Sequence, residues 1–195
     1  HDPEVDALEL RKHLNFAPDG PLDDLIGNLE NKGFLILLQE IDDEKFSGIN
    51  GFVNNRPYIM LNKKMSQERN RSTIVHELAH LMFNWNEANL NEKEIENYAT
   101  MISGAFLFPK VDAIRELGIR RKFISKDMIL VAVEYGISMM LLAKRAELLN
   151  IVSSFSAKDF YVKASKLGWR KNEPSRIKEV EKPILFEQLV YRAIN

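Results

Sequence analysis

Apolar residues recur along the chain first at helical spacing, then at strand spacing, then at helical spacing again. Val5, Leu8, Leu10 and Leu14 mark a helix over 3–15, with Pro3 at its start. A Pro/Gly turn at 16–21 leads to a second helix over 22–31, carried by Leu22, Leu25, Ile26 and Leu29 and stopped by Gly33. The period then changes. Residues 34–40 are an apolar, strand-like run, 47–53 and 58–61 follow, and Asn54-Asn55-Arg56-Pro57 is a turn signal between the last two. Three strands at this spacing predict a small antiparallel sheet. From Ser66 onward the pattern is helical. Ser66 caps a helix reaching to about Trp85, and 91–108 is closed by Pro109. Further helices are expected over 111–117, 126–135, 139–149, 157–167 and 183–194. Helices, then sheet, then helices predict an α+β chain.

Composition narrows the chemistry. Of 195 residues, 45% are hydrophobic and 28% charged, which fits an ordinary globular protein rather than a disordered or fibrous one. The net charge of −1 supplies no global basic field for nucleic acid. No apolar run reaches the roughly 20 residues of a membrane span, so no membrane partner is expected. With no cysteine, disulfides and thiolate metal sites are excluded, and any metal must be held by His, Asp or Glu. This usage fits a reducing compartment, and a cytoplasmic location is the expectation.

One segment joins these observations to a reaction. Residues 76–80 read His-Glu-Leu-Ala-His inside the helix that begins at Ser66. On a wheel of about 100° per residue, His80 falls about 40° from His76, one turn on along the same face. Ile74, Val75, Leu78, Leu81 and Met82 fall roughly opposite and form a core stripe. Two imidazoles so placed can share one zinc ion. Glu77 is offset by about 100°, where a carboxylate can take a proton from water without itself ligating.

Counting narrows the third ligand. His1, His13, His76 and His80 are the only histidines, and none follows the motif, so the third ligand must be a carboxylate. Downstream candidates are Glu87, Glu92, Glu94 and Glu96. Glu96 shares a stripe with Ala99, Thr100, Ser103 and Gly104, small residues that let its helix approach the histidine helix, so Glu96 is favoured over Glu92. Two His and one Glu leave a position open, as in catalytic sites. Tyr58, Ile59 and Met60 precede the motif helix, and an exposed edge strand there would pair with an extended substrate.

These residues resemble the ImmA/IrrE-type metallo-endopeptidases, most closely the branch fused to Xre-type helix-turn-helix regulators. The resemblance rests on 29–34, 48–52, 57–62, Arg69 to His80, and the Glu96-led segment through Leu107-Phe108-Pro109. It extends to Trp169-Arg170, Glu173-Pro174 and 189–193. It implies a zincin-like fold, with His76, His80 and Glu96 as metal ligands and Glu77 as general base. It also implies cleavage of a transcriptional repressor, often a helix-turn-helix protein, in response to stress or phage signals. The sequence departs from the family pattern at Ser72, where Phe is usual, at Ala79, where Gly is common, and over 99–103. Position 100 is Thr rather than the Asp of thermolysin-like enzymes. In the fused branch a DNA-binding domain precedes this region.

Two domains are expected: a zincin-like metallopeptidase domain over 1–118 and a helical subdomain over 119–195. Ala132, Gly136, Ile137 and Leu142 in the latter match helix-turn-helix spacing. Its second helix carries only Lys144 and Arg145 as cations, which suits packing better than phosphate contact. A structural helix pair is therefore the expectation, and any DNA contact would come through a preceding domain or, weakly, through 119–150. The leading expectation is a zinc endopeptidase that cleaves a helix-turn-helix repressor or an antitoxin, with Mn²⁺ and Fe²⁺ as alternative metals. The alternatives are a metal-binding sensor module that binds a regulator or DNA without turnover, and a toxin-like component held by a partner.

Overall fold

A computed structural model describes residues 2–87, 90–169, 172, 174, 177 and 180–194. His1, Arg170 and Glu173 lie outside the described residues, as does the side chain of Glu87. The chain is α+β, with helices and one three-stranded sheet among the described residues, as the hydrophobic pattern predicts. Its Cα positions group into two compact units, 23–103 with 179–195, and 1–22 with 104–178.

The first of these units holds the sheet. Helix α2 (Leu25–Asn31) starts three residues later than its apolar pattern suggests, because Asp24 takes a left-handed conformation and accepts a hydrogen bond from Gly27 N–H. Strands β1 (Leu35–Gln39), β2 (Gly48–Val53) and β3 (Arg56–Asn62) follow. Asn54 and Asn55, both at positive φ, make a two-residue hairpin turn between β2 and β3. The expected antiparallel sheet needs one correction. The strand order is β1-β3-β2, and β1 runs parallel to β3, so the sheet is mixed.

The reason lies at one end of β3. Gln39 pairs with Asn62 and Gly48 with Leu61, so β1 ends and β2 begins beside the same end of β3. The 40–47 loop crosses that end. The carboxamide of the buried Asn62 holds the loop there, donating to the carbonyls of Ile41, Asp43 and Phe46 and accepting from Ile41 N–H and Lys64 N–H. Helices α3 (Gln67–Met82) and α4 (Glu92–Leu107) follow, with a short 3₁₀ turn at Trp85–Glu87 between them. The C-terminal helix α9 (Leu185–Ile194) returns to this unit. Glu30 accepts from Ile184 N–H and Leu185 N–H at the start of α9, and Glu181 pairs with Arg71 of α3.

The second unit contains α1 (Pro3–His13), the last turn of α4, α5 (Lys110–Leu117), α6 (Met128–Tyr135), α7 (Met139–Leu148) and α8 (Ser154–Lys166). Buried cations tie it together. Arg11 donates to the carbonyls of Phe106, Ala17 and Gly20, and Arg145 donates to Phe108 O and pairs with both carboxylate oxygens of Glu4. These contacts group residues 1–22 with the helices beyond 104, and α9 goes with the sheet, a partition different from the contiguous 1–118 and 119–195 division. The α6–α7 pair has the turn expected at Gly136, which takes a left-handed conformation and caps α6. Ala132, Ile137 and Leu142 are fully buried, and Arg145 is committed to Glu4 and Phe108. Lys144 is paired with Glu147. Both cations of the second helix are thus engaged within the unit.

Candidate metal centre

Helix α3 begins where Ser66 accepts from Arg69 N–H and turns an apolar face inward: Ile74, Val75, Leu78 and Ala79 are fully buried. That burial fixes the rotation of the helix and leaves His76 and His80 half-buried on the other side, with ring centroids 4.8 Å apart. Helix α4 approaches this face along its small residues. Its start is built by Asn91 and Glu94, whose side chains reciprocally accept from each other's N–H, so Glu94 serves as a cap. One side of α4 is then tied to α3 by Ser103 Oγ, which donates to Ser72 O at 2.8 Å. Glu96, two turns earlier on α4, is thereby brought to the histidines.

His76 Nε2, His80 Nε2 and the Glu96 carboxylate converge. The two Nε2 atoms are 3.1 Å apart, His76 Nε2 is 3.1 Å from Glu96 Oε2, and His80 Nε2 is 3.2 Å from Glu96 Oε1. Metal–ligand bonds of ~2.0–2.1 Å at a tetrahedral angle put neighbouring ligand atoms ~3.3–3.4 Å apart, so the spacing and the donor set fit one divalent ion. Among the described residues, these three are the group of His and carboxylate side chains so placed. Glu92, the runner-up in sequence, is outside it.

Protonation follows from the contacts. The Thr100 hydroxyl donates to Glu96 O at 2.9 Å and lies 3.3 Å from His76 Nδ1. With its proton committed to Glu96 O, Thr100 accepts from Nδ1–H, which leaves the His76 Nε2 lone pair facing the cluster. Burial, followed by the nearby His76, pushes the His80 imidazole below its ordinary pKa, while Glu96 and Glu77 oppose that shift. A neutral imidazole is the form that binds metal.

Glu77 is buried beside the group and does not join it. Its Oε2 accepts from Asn50 Nδ2 on β2 at 2.6 Å. Sequence reasoning gave Asn50 no role and took Thr100 only as a small residue of the α4 stripe and as a departure from the thermolysin-like pattern. A polar residue two positions beyond Gly48 in a strand, and a hydroxyl four positions after Glu96, are the signals that point to them. Tyr58, Ile59 and Met60 lie elsewhere than expected. They belong to the central strand, whose two sides pair with β1 and β2, so no edge is free there. Ile59 is fully buried in the core. Among the described strands, the open edge beside α3 belongs to β2.

A solved structure described as a Mycobacterium tuberculosis transcriptional regulator is similar in fold, with a TM-score of 0.54 at 13% identity. The likeness covers 74% of this chain and 46% of that one, so it spans less than half of the regulator's length. No curated protein matches the chain. The family described as Peptidase_M78, IrrE N-terminal-like domain, matches residues 31–147, which include every residue of the cluster. Since that match takes in more than half of the 195 residues, the chain belongs to the Peptidase_M78 family of metallopeptidases.

Proposed function

We propose that this chain is a zinc-dependent endopeptidase that cleaves a regulatory protein, a helix-turn-helix repressor or an antitoxin, in the cytoplasm. The convergence of His76, His80 and Glu96 beside a non-ligating Glu77 carries this reading. Membership of a metallopeptidase family supports the reaction. The regulatory substrate draws support from the sequence resemblance and from the likeness in fold to a transcriptional regulator.

His76, His80 and Glu96 would hold the ion. A zinc ion bound there supplies a Lewis acid for the scissile carbonyl and makes water a better acid. The chain's own residues do the rest. Thr100 orients His76, and Ser103 keeps α4 against α3 so that Glu96 stays in reach. Glu77 accepts the proton of the attacking water and passes it to the departing amine, giving a carboxylate and a free amino group. The open edge of β2 offers backbone groups to an extended substrate.

The test is cleavage of a purified helix-turn-helix regulator encoded beside this protein, with new N-termini identified by mass spectrometry. Wild-type protein loaded with zinc is expected to produce one discrete cut. Glu77→Gln, which keeps shape but not basicity, is expected to lower the rate by about 10²–10⁴-fold with zinc still bound. Undiminished cleavage by that variant overturns the mechanism. Tight binding of the regulator with no cut by the wild type favours the sensor module instead.

A further inference from the structure

Strand β2 lies unusually close to α3. A Cβ on Gly48 would fall 2.7 Å from Thr73 Cγ2 and 3.0 Å from Met60 O, so only glycine lets the strand sit there. Side chains alternate along a strand, so Asn50 projects from the same face of β2 as Gly48. On α3, Glu77 follows Thr73 by four residues and therefore shares its face. The two close approaches are in step: Gly48 meets Thr73, and Asn50 meets Glu77. Asn50 Nδ2 donates to Glu77 Oε2 at 2.6 Å. An ionised carboxylate only accepts, so the amide must present its NH₂ group to Glu77.

Resting on the peptidase reading above, we infer that Asn50 is a positioning residue for the general base. A glutamate has three rotatable side-chain bonds and many rotamers open to it at a helix surface. Asn50 ties one carboxylate oxygen to the sheet. Oε1 is left as the oxygen that receives the proton, held at one place relative to His76 and His80. Proton transfer depends steeply on such placement, and a shift of about 1 Å can cost about 10²-fold in rate. The contact also links the base to β2, the strand whose open edge would take the substrate. Base and substrate would then be held by the same element.

The experiment uses the full chain with zinc and, as probe, the peptide that wild type cleaves fastest in a proteome-derived peptide library. Asn50→Ala is expected to lower kcat about 10–100-fold with KM changed less than about twofold and zinc content unchanged. Asn50→Gln, which retains the amide donor on a longer stem, is expected to restore a large part of kcat. In a Glu77→Gln background, Asn50→Ala is expected to add no further loss, because its effect runs through the carboxylate. A readout independent of turnover is the side-chain amide resonance of Asn50 in metal-free protein, which is expected to move upfield in Glu77→Ala. A wild-type kcat in Asn50→Ala, additive losses in the double variant, or an Asn50 resonance indifferent to Glu77→Ala overturns this inference and leaves the peptidase reading standing. A wild-type chain that cleaves nothing in the library overturns the peptidase reading and this inference together. Should Asn50→Ala fail to fold, the isosteric Asn50→Asp, which lacks the donor, replaces it with the same expected loss of kcat.

Discussion

His76 touches three kinds of partner: His80, Glu96 and Thr100. Each contact constrains a different quantity, namely the spacing of the candidate ligand atoms, the charge of the cluster and the proton on Nδ1. They predict graded effects on metal affinity, measured by competition with a chromophoric chelator. Glu96→Ala is expected to weaken zinc binding by more than about 100-fold, and Thr100→Val, nearly the same shape without the hydroxyl, by about 10–100-fold. Glu92→Ala is expected to bind zinc as wild type does; loss of metal there, with Glu96→Ala unaffected, would transfer the ligand role to Glu92. The two histidines and their shared face were legible in sequence because the i, i+4 relation is local to one helix. The contacts of Thr100 with His76 and of Asn50 with Glu77 were not, because they join residues 24 and 27 apart in the chain.

At the scale of elements, the mixed sheet depends on the loop between β1 and β2 crossing the end of β3. The Asn62 side chain satisfies three loop carbonyls at once, those of Ile41, Asp43 and Phe46. Asn62→Ala leaves those carbonyls and two N–H groups without their partner, and is expected to cost about 2–3 kcal/mol in urea denaturation. Ser66→Ala, which removes only the cap of α3, is expected to cost about 1 kcal/mol by the same measurement. An Asn62→Ala chain as stable as wild type would show that the crossing is held by other means. The strands themselves were readable from apolar runs and the Asn-Asn turn. Their parallel and antiparallel pairing was not, since apolar spacing within a strand says nothing about which neighbour it joins.

At the scale of the whole molecule, alkaline stability is set in part by two phenols in the unit of residues 1–22 and 104–178. Burial, with Asp112 adding to it, pushes Tyr135 up to about 12. Burial, with Glu147 adding to it, pushes Tyr161 up to about 12. An unfolded tyrosine ionises near 10, so the unfolded state releases protons first as pH rises. Stability from these two groups is therefore complete below about pH 10 and is lost as pH climbs through about 12. Denaturation followed across that window is expected to show falling stability in the wild type. A shallower fall is expected in both Tyr135→Phe and Tyr161→Phe. Slopes identical to wild type in both variants would place the alkaline transition elsewhere.

The sequence by itself determined the helix of the motif, the face its histidines share, the carboxylate that completes their cluster and the family. All of these follow from local periodicity, residue counts and short motifs, which survive without knowledge of distant contacts. Only the tertiary structure decided that β1 lies parallel to β3, that Tyr58–Met60 sit inside the sheet, and that α9 packs beside β1, with its start held by Glu30 of α2 and the residues before it by the Glu181–Arg71 pair to α3. It also decided that Asn50 meets Glu77. Each of these is a contact between segments far apart in the chain. Such contacts are chosen by burial and by satisfaction of polar groups across the whole fold, which no single window of residues contains.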